Sequence, residues 1–357
     1  MRIEAVEVFK ENMLLSKPYQ IAYKVVDSVE CLFLRIRLEN GITGWGSSNI
    51  STYVVGQSND DTLAHFQEGQ LDFLLRKDIR QFKNLIESTN TQLCNSIGLK
   101  VMADVALYDV FSKYLGIPMV DLWGAKHRRM ATSVTIGIMG VDPTIEEAKA
   151  FVDAGFQVLK VKLGAALQED IERLVALRKT FGNEIKIRID ANQGWTLAET
   201  LQFFETTQLL DIELIEQPVK ADELHSVLSL PQEYRDKIAA DESLRDSADA
   251  ALLSGPERPV GIFNIKLMKC GGITEAMKIA DFARSTSIDL MWGCNDESIV
   301  SITAALHAAF ACEHTKYLDL DGSFDLARDV VEGGFILENG CLSFSRMPGL
   351  GIQPIAD

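Results

Sequence analysis

VLKVKL at residues 158–163, IKIRID at 185–190 and IELIE at 212–216 are short aliphatic runs, each followed by a helical stretch. Reading outward, the same rhythm covers Ser133–Ile138 upstream and Lys237–Ala240, Ile262–Leu267, Asp289–Trp292 and Lys316–Leu320 downstream. Several of these runs are apolar on successive residues, as expected of strands covered on both faces. Eight evenly spaced βα units, the last helix weak, predict an α/β fold: a modified TIM barrel, (β/α)7β-like, over residues 126–321. A doubly wound open sheet is the alternative, and the even spacing favours closure.

On the N-terminal side, residues 1–125 place strands before helices. Glu30–Leu38 (ECLFLRIRL) runs into the turn Glu39-Asn40-Gly41, and Asn-Gly supplies the positive φ of a tight hairpin. Residues 99–115 have apolar positions at helical spacing and stop at Gly116-Ile117-Pro118. This is an α+β capping domain. The Gly- and Pro-rich segment 322–357 is expected to return and complete it.

The charge of −16 repels polyanions and anionic lipid surfaces, which argues against nucleic-acid and membrane partners. The N-terminus alternates like a strand and lacks the apolar core of a signal peptide. Six cysteines form no CxxC pair, as fits thiols in a reducing compartment. A cytoplasmic protein is expected, with self-association left open.

Barrel enzymes carry their active site at the C-terminal ends of the strands. There the second strand offers Lys160 and Lys162, two apart and so on one face. Their mutual repulsion is expected to lower the pKa of at least one, as suits a general base. The third, fourth and fifth strands end in Asp190, Glu216 and Asp241, each after an apolar run. One such carboxylate usually caps a helix. Three in succession need a cation, and an all-oxygen set without histidine suits Mg²⁺, one per site. Lys266 lies inside an apolar run on the sixth strand, across the rim from Lys162, whereas Lys269 is placed nearer the solvated loop. Asp319 and Asp321 flank Leu320 and are read as sharing one face, able to hold a cationic group.

The KxK of Lys160–Lys162, the carboxylates Asp190, Glu216 and Asp241, and NIKLMKCGGITEA carrying Lys266 together resemble the enolase superfamily, in its muconate-lactonizing subgroup. The resemblance covers essentially the whole chain, and the DxD at Asp319 and Asp321 makes it most similar to dipeptide epimerases such as the L-Ala-D/L-Glu enzymes of murein peptide recycling. It implies that Lys162 and Lys266 are the two acid–base residues, working through an enediolate on a Mg²⁺-bound carboxylate. It further implies that Lys160 helps hold that carboxylate, that Asp319 and Asp321 bind a dipeptide ammonium, and that Thr135 and Glu297 line the site. Asn192, after the metal Asp, is implied as support, and Lys24 as a contact for the substrate side chain. The expected reaction inverts the C-terminal residue of an L-Ala-Xaa dipeptide, Xaa being Glu or hydrophobic. A cycloisomerase or an o-succinylbenzoate-synthase-like lyase is the alternative. Two segments depart from the relatives: Ser47-Ser48 after Gly46, and the polar run 293–297 where a Met-containing apolar run is usual.

Overall fold

The computed structural model describes residues 1–21 and 24–355, with side chains for all of these except 17–21 and 24–26. Its centre is a parallel sheet of eight strands: Val134–Ile136, Val158–Lys162, Lys186–Asp190, Ile212–Glu216, Ile238–Ala240, Ile262–Ile265, Asp289–Trp292 and Thr315–Leu318. They stand in sequence order, each bonded to the next. The sheet curls until its ends meet: Thr132 bridges Leu318 in parallel, and the Ser133 N–H donates to the Leu318 carbonyl at 3.0 Å. The open-sheet alternative is thereby set aside.

The layer outside follows from the sequence. Helices Val141–Asp153, Leu167–Phe181, Leu197–Thr207, Ser247–Leu253, Ile273–Thr286 and Ile299–Ala311 alternate with the strands. Between the fourth and fifth strands the cover is thinner, a 3₁₀ segment Ala221–Ser229 and one turn of helix. After the eighth strand no helix follows among the described residues; the chain leaves for hairpin strands Phe335–Glu338 and Cys341–Phe344, the second of which pairs with Arg129–Ala131.

In the cap, strands Ile3–Ile21, Lys24–Leu38 and Thr43–Ser48 form an antiparallel sheet. The Asn40-Gly41 turn closes its second hairpin, with Gly41 at φ +86°. This sheet lies against the buried helix Ile97–Leu115 so closely that a Cβ on Gly46 would stand 2.0 Å from the Met102 carbonyl oxygen. A side chain there would push sheet and helix apart, which gives the Gly-Trp-Gly run its structural reason. Two further ties aim the cap at the barrel mouth. Ser16 N–H donates to the Asp325 carbonyl at 2.7 Å and Ala327 N–H to the Leu14 carbonyl at 2.8 Å, so the long hairpin pairs with the segment beyond the eighth strand. No helix among the described residues is long and apolar enough to cross a membrane.

Candidate active site

Parallel register sets the rim. Lys162 lies opposite Asp190, and Asp190 opposite Glu216. Asp241 follows the end of the fifth strand, and Lys266 follows the end of the sixth. Around the mouth the order is therefore Lys162, Asp190, Glu216, Asp241, Lys266, three carboxylates flanked by two lysines.

The contacts are short. Lys162 Nζ is 2.6 Å from Asp190 Oδ2, and Lys266 Nζ is 2.8 Å from Asp241 Oδ2 and 3.8 Å from Glu216 Oε1. Lys160, 2% exposed, sits inside the barrel at 2.7 Å from Glu216 Oε2, 2.7 Å from Asp319 Oδ2 and 3.3 Å from Asp190 Oδ2.

For Lys160 this arrangement runs against the expectation of a lysine made less basic by its neighbour. Burial opposes the charge of Lys160, but Asp319, Glu216 and Asp190 outweigh it and hold its pKa well above the usual lysine range. Lys266 is raised in the same way, burial being overcome by Asp241 and Glu216. The nearby carboxylates, not the second ammonium, dominate the field.

Among the carboxylates the charges divide unequally. Burial would raise Asp190, yet Lys162 and Lys160 pull it down to about 2. Burial likewise opposes Asp241, which Lys266 and Lys269 hold well below its ordinary value. Glu216 goes the other way: burial and the charge of Asp190 push it up to about 8. Its Oε2 lies within ion-pair distance of Lys160 without an aligned hydrogen bond, and the nearby Glu242 Oε2 is also buried without a hydrogen-bond partner. Among the described residues no acidic trio is gathered into a ready cage, and ammonium groups stand between the three carboxylates. The fit to a hard divalent cation is nonetheless good. The donors are all oxygen, they are buried side by side, and the middle one lacks enough positive charge to ionise readily.

Several supports had no role in the sequence reading. Asn264, two residues before Lys266 and so on its face, donates to Glu216 Oε1 at 2.8 Å. Gln217, at φ +36°, accepts from the N–H groups of Asp241 (3.0 Å) and Ser243 (3.2 Å), bracing the fourth strand end against the fifth. Lys269 is a correction: it is 6% exposed, and its ammonium grips the Asp241 side chain and carbonyl and the Asn264 carbonyl. The helical turn Leu267–Cys270 folds it back into the site.

The DxD pair lies just beyond the eighth strand, which ends at Leu318. Asp319 turns inward to Lys160 and to Ser133 Oγ (2.6 Å), while Asp321 takes the Thr135 N–H at 2.8 Å and lies 3.8 Å from Cys294 Sγ. Thr135 thus meets the site through its backbone. Asn192 does too, donating its N–H to Asp190 Oδ1 at 2.9 Å. Glu297 is buried, accepts from the Asn295 N–H at 2.8 Å, and is pushed up to about 7 chiefly by that burial. The Lys24 side chain lies outside the described residues. A cavity of about 20 Å³ joins the two domains here, walled by Ser51, Val54 and Val55 of the cap and by Asp241, Lys266, Met268, Lys269 and Asn295.

A capped barrel with two lysines flanking three metal-type carboxylates defines the class, and the comparisons agree. Residues 3–124 match the mandelate racemase / muconate lactonizing enzyme N-terminal domain, and residues 144–357 the enolase C-terminal domain-like family. The chain belongs to the enolase superfamily. It is 47% identical to an L-Lys-D/L-Arg epimerase of Desulforapulum autotrophicum, over 99% of this chain and 100% of that protein. A crystal structure of a dipeptide epimerase from Methylococcus capsulatus, complexed with Mg and the dipeptide L-Arg-D-Lys, is 43% identical and superposes with a TM-score of 0.96 over 99% of both chains. A substrate-liganded L-Ala-D/L-Glu epimerase from Bacillus subtilis is 30% identical, with a TM-score of 0.93 over 100% of both chains. On these grounds the chain is an isomerase of the dipeptide epimerase kind, its cofactor is Mg²⁺, and the cycloisomerase and lyase alternatives fall away.

Proposed function

We propose that this enzyme inverts the α-carbon of the C-terminal residue in dipeptides bearing Lys or Arg side chains, one of Lys162 and Lys266 removing the α-proton and the other delivering a proton to the opposite face. The observation that carries the mechanism is the rim order, which sets the two lysines at opposite flanks of the carboxylate row. Asp190, Glu216 and Asp241 would hold Mg²⁺, which supplies Lewis-acid withdrawal of charge from a substrate carboxylate. One lysine removes the α-proton to leave an enediolate. The other delivers a proton to the opposite face, and configuration inverts. Lys160, pinned among Asp190, Glu216 and Asp319, fixes a positive charge beneath the row and favours the more negative transition state.

The cationic substrate rests on two further observations. Relatives at 47% and 44% identity are L-Lys-D/L-Arg epimerases. The mouth also carries more carboxylates than a metal needs. Glu297 stands outside that row, buried and pushed up to about 7 chiefly by the burial, and a nearby cation would relieve it. The charge of −16 would also draw cationic substrates inward. In this proposal a cationic pair takes the place of the L-Ala-Xaa substrate expected from the sequence. In a panel of dipeptides followed by chiral chromatography, Lys- and Arg-containing pairs are expected to exceed L-Ala-L-Glu in kcat/KM by at least about 100-fold, as a desolvated charge mismatch requires. Faster turnover of L-Ala-L-Glu or of an apolar dipeptide would remove the cationic assignment.

Asp321 would receive the substrate ammonium. Burial and the charge of Asp319 push its carboxyl up to about 7, so it is largely protonated below that pH and binds a cation less well. The expected kcat/KM therefore rises as pH passes up through about 7. It falls again above about 8, where the α-ammonium deprotonates. Asp321→Asn should weaken the lower limb, leaving the part that Glu297, also pushed up to about 7, contributes, and N-acetylated dipeptide should be a poor substrate of the wild type. A wild-type profile flat between pH 6 and 8 would argue against this role.

A further inference from the structure

We propose that Asn49 of the cap and Asn295 of the barrel form a latch that positions the side-chain wall of the substrate pocket. They lie 246 residues apart in sequence and meet at the mouth.

Asn49 follows the last cap strand, Thr43–Ser48, and precedes the turn of helix Thr52–Val55. Its side-chain N–H donates to the Asp296 carbonyl at 2.6 Å, and its own carbonyl accepts from Asn295 Nδ2 at 3.1 Å. Its backbone N–H lies 3.3 Å from Met268 Sδ, two residues past Lys266. Both amides face backbone carbonyls, which only accept, so the donating nitrogen of each is fixed.

From Asn295 the connection continues inward. Its backbone N–H holds Glu297 Oε1 at 2.8 Å, and the Glu297 N–H donates to the Gly322 carbonyl at 3.0 Å. Gly322, directly after Asp321, packs so tightly that a Cβ would stand 1.9 Å from the Asn295 carbonyl oxygen. One loop is thus bonded on one side to the cap and on the other to the segment carrying Asp321. Asn295 also walls the cavity between Ser51, Val54, Val55 and Lys266. A change at either asparagine should move the cap wall against the barrel while the lysines and metal carboxylates keep their own supports.

The effect on substrate rests on the proposed dipeptide reaction; the effect on the loop does not. Asn49→Ala, Asn295→Ala and the double variant are compared for turnover, and Asn295→Asp, which cannot donate to a carbonyl, serves as a near-isosteric check. Each single variant, Asn295→Asp included, is expected to raise KM for the best cationic dipeptide about tenfold, the weight of one to two hydrogen bonds, with kcat within about twofold. The double variant should lose less than the sum of the two single ones, because both bonds tie the same loop to the same cap segment. Hydrogen–deuterium exchange at residues 50–55 should quicken about tenfold in Asn295→Ala, although the substitution lies in the barrel. Additive losses, a fall in kcat at constant KM, or unchanged exchange at 50–55 would overturn the latch. If the wild type turns over no dipeptide, the functional proposal fails and the exchange result alone decides the latch.

Discussion

Replacing Lys266 by glutamine is expected to lower epimerisation by at least about 10³-fold, within the range general acid–base groups contribute. Lys266 stands at one end of the carboxylate row, and among the described residues no other lysine is free to act there. Lys269 is held by the Asp241 carboxylate, the Asp241 carbonyl and the Asn264 carbonyl. Glutamine keeps much of the volume and can still donate to Asp241 Oδ2, so the variant tests proton transfer rather than folding. The sharper readout is stereochemical. With Lys162 intact, one epimer of the dipeptide should still lose its α-proton to D₂O without inverting, and Lys162→Gln should show the same behaviour with the other epimer. Proton NMR on each pure epimer measures this. Equal exchange of both epimers in either variant would contradict two bases on two faces.

Removing the metal should have an effect as large. Chelation is expected to cut turnover by at least about 10³-fold, restored by Mg²⁺, because charge withdrawal from the carboxylate is then lost. The same ion should stabilise the fold, since it binds the folded chain and not the unfolded one. At 100 times its dissociation constant this amounts to about 2.7 kcal/mol. Differential scanning calorimetry should show Tm rising by a few degrees with Mg²⁺. Glu216→Gln should erase that rise, because Glu216 is the central carboxylate, buried and pushed up to about 8 without a cation. A wild type whose Tm and activity both ignore Mg²⁺ would contradict the assigned ligands.

Much of this site could be read from the sequence because strands impose simple rules. Apolar runs marked the eight strands, and their C-terminal ends carried Lys160, Lys162, Asp190 and Glu216 at positions that parallel register then aligned. Asn264 was within reach of the same alternation, being two residues before Lys266. Beyond the strand ends the rule says less. Asp319 and Asp321 lie past Leu318, and spacing alone does not give their separate partners, Lys160 and the Thr135 N–H. Lys269 was misplaced because one turn of helix returns it to the site. Spacing gives no sign of a contact such as Asn49 with Asn295, which depends on how two domains dock. The raised pKa of Lys160 was equally out of reach, since the neighbouring ammonium is visible in sequence but Asp319, Glu216 and Asp190 come from three different strand ends.

The central claim is inversion by two lysines, and isotope incorporation tests it most directly. Wild-type enzyme with Mg²⁺ and an unlabelled L,L-dipeptide of Lys or Arg is incubated in D₂O, and the product epimer is examined by NMR and mass spectrometry within the first few per cent of turnover. The new epimer is expected to carry one deuterium at the α-carbon of its C-terminal residue, delivered by the lysine on the opposite face. An epimer that keeps its protium, or no exchange with any dipeptide, would contradict the claim.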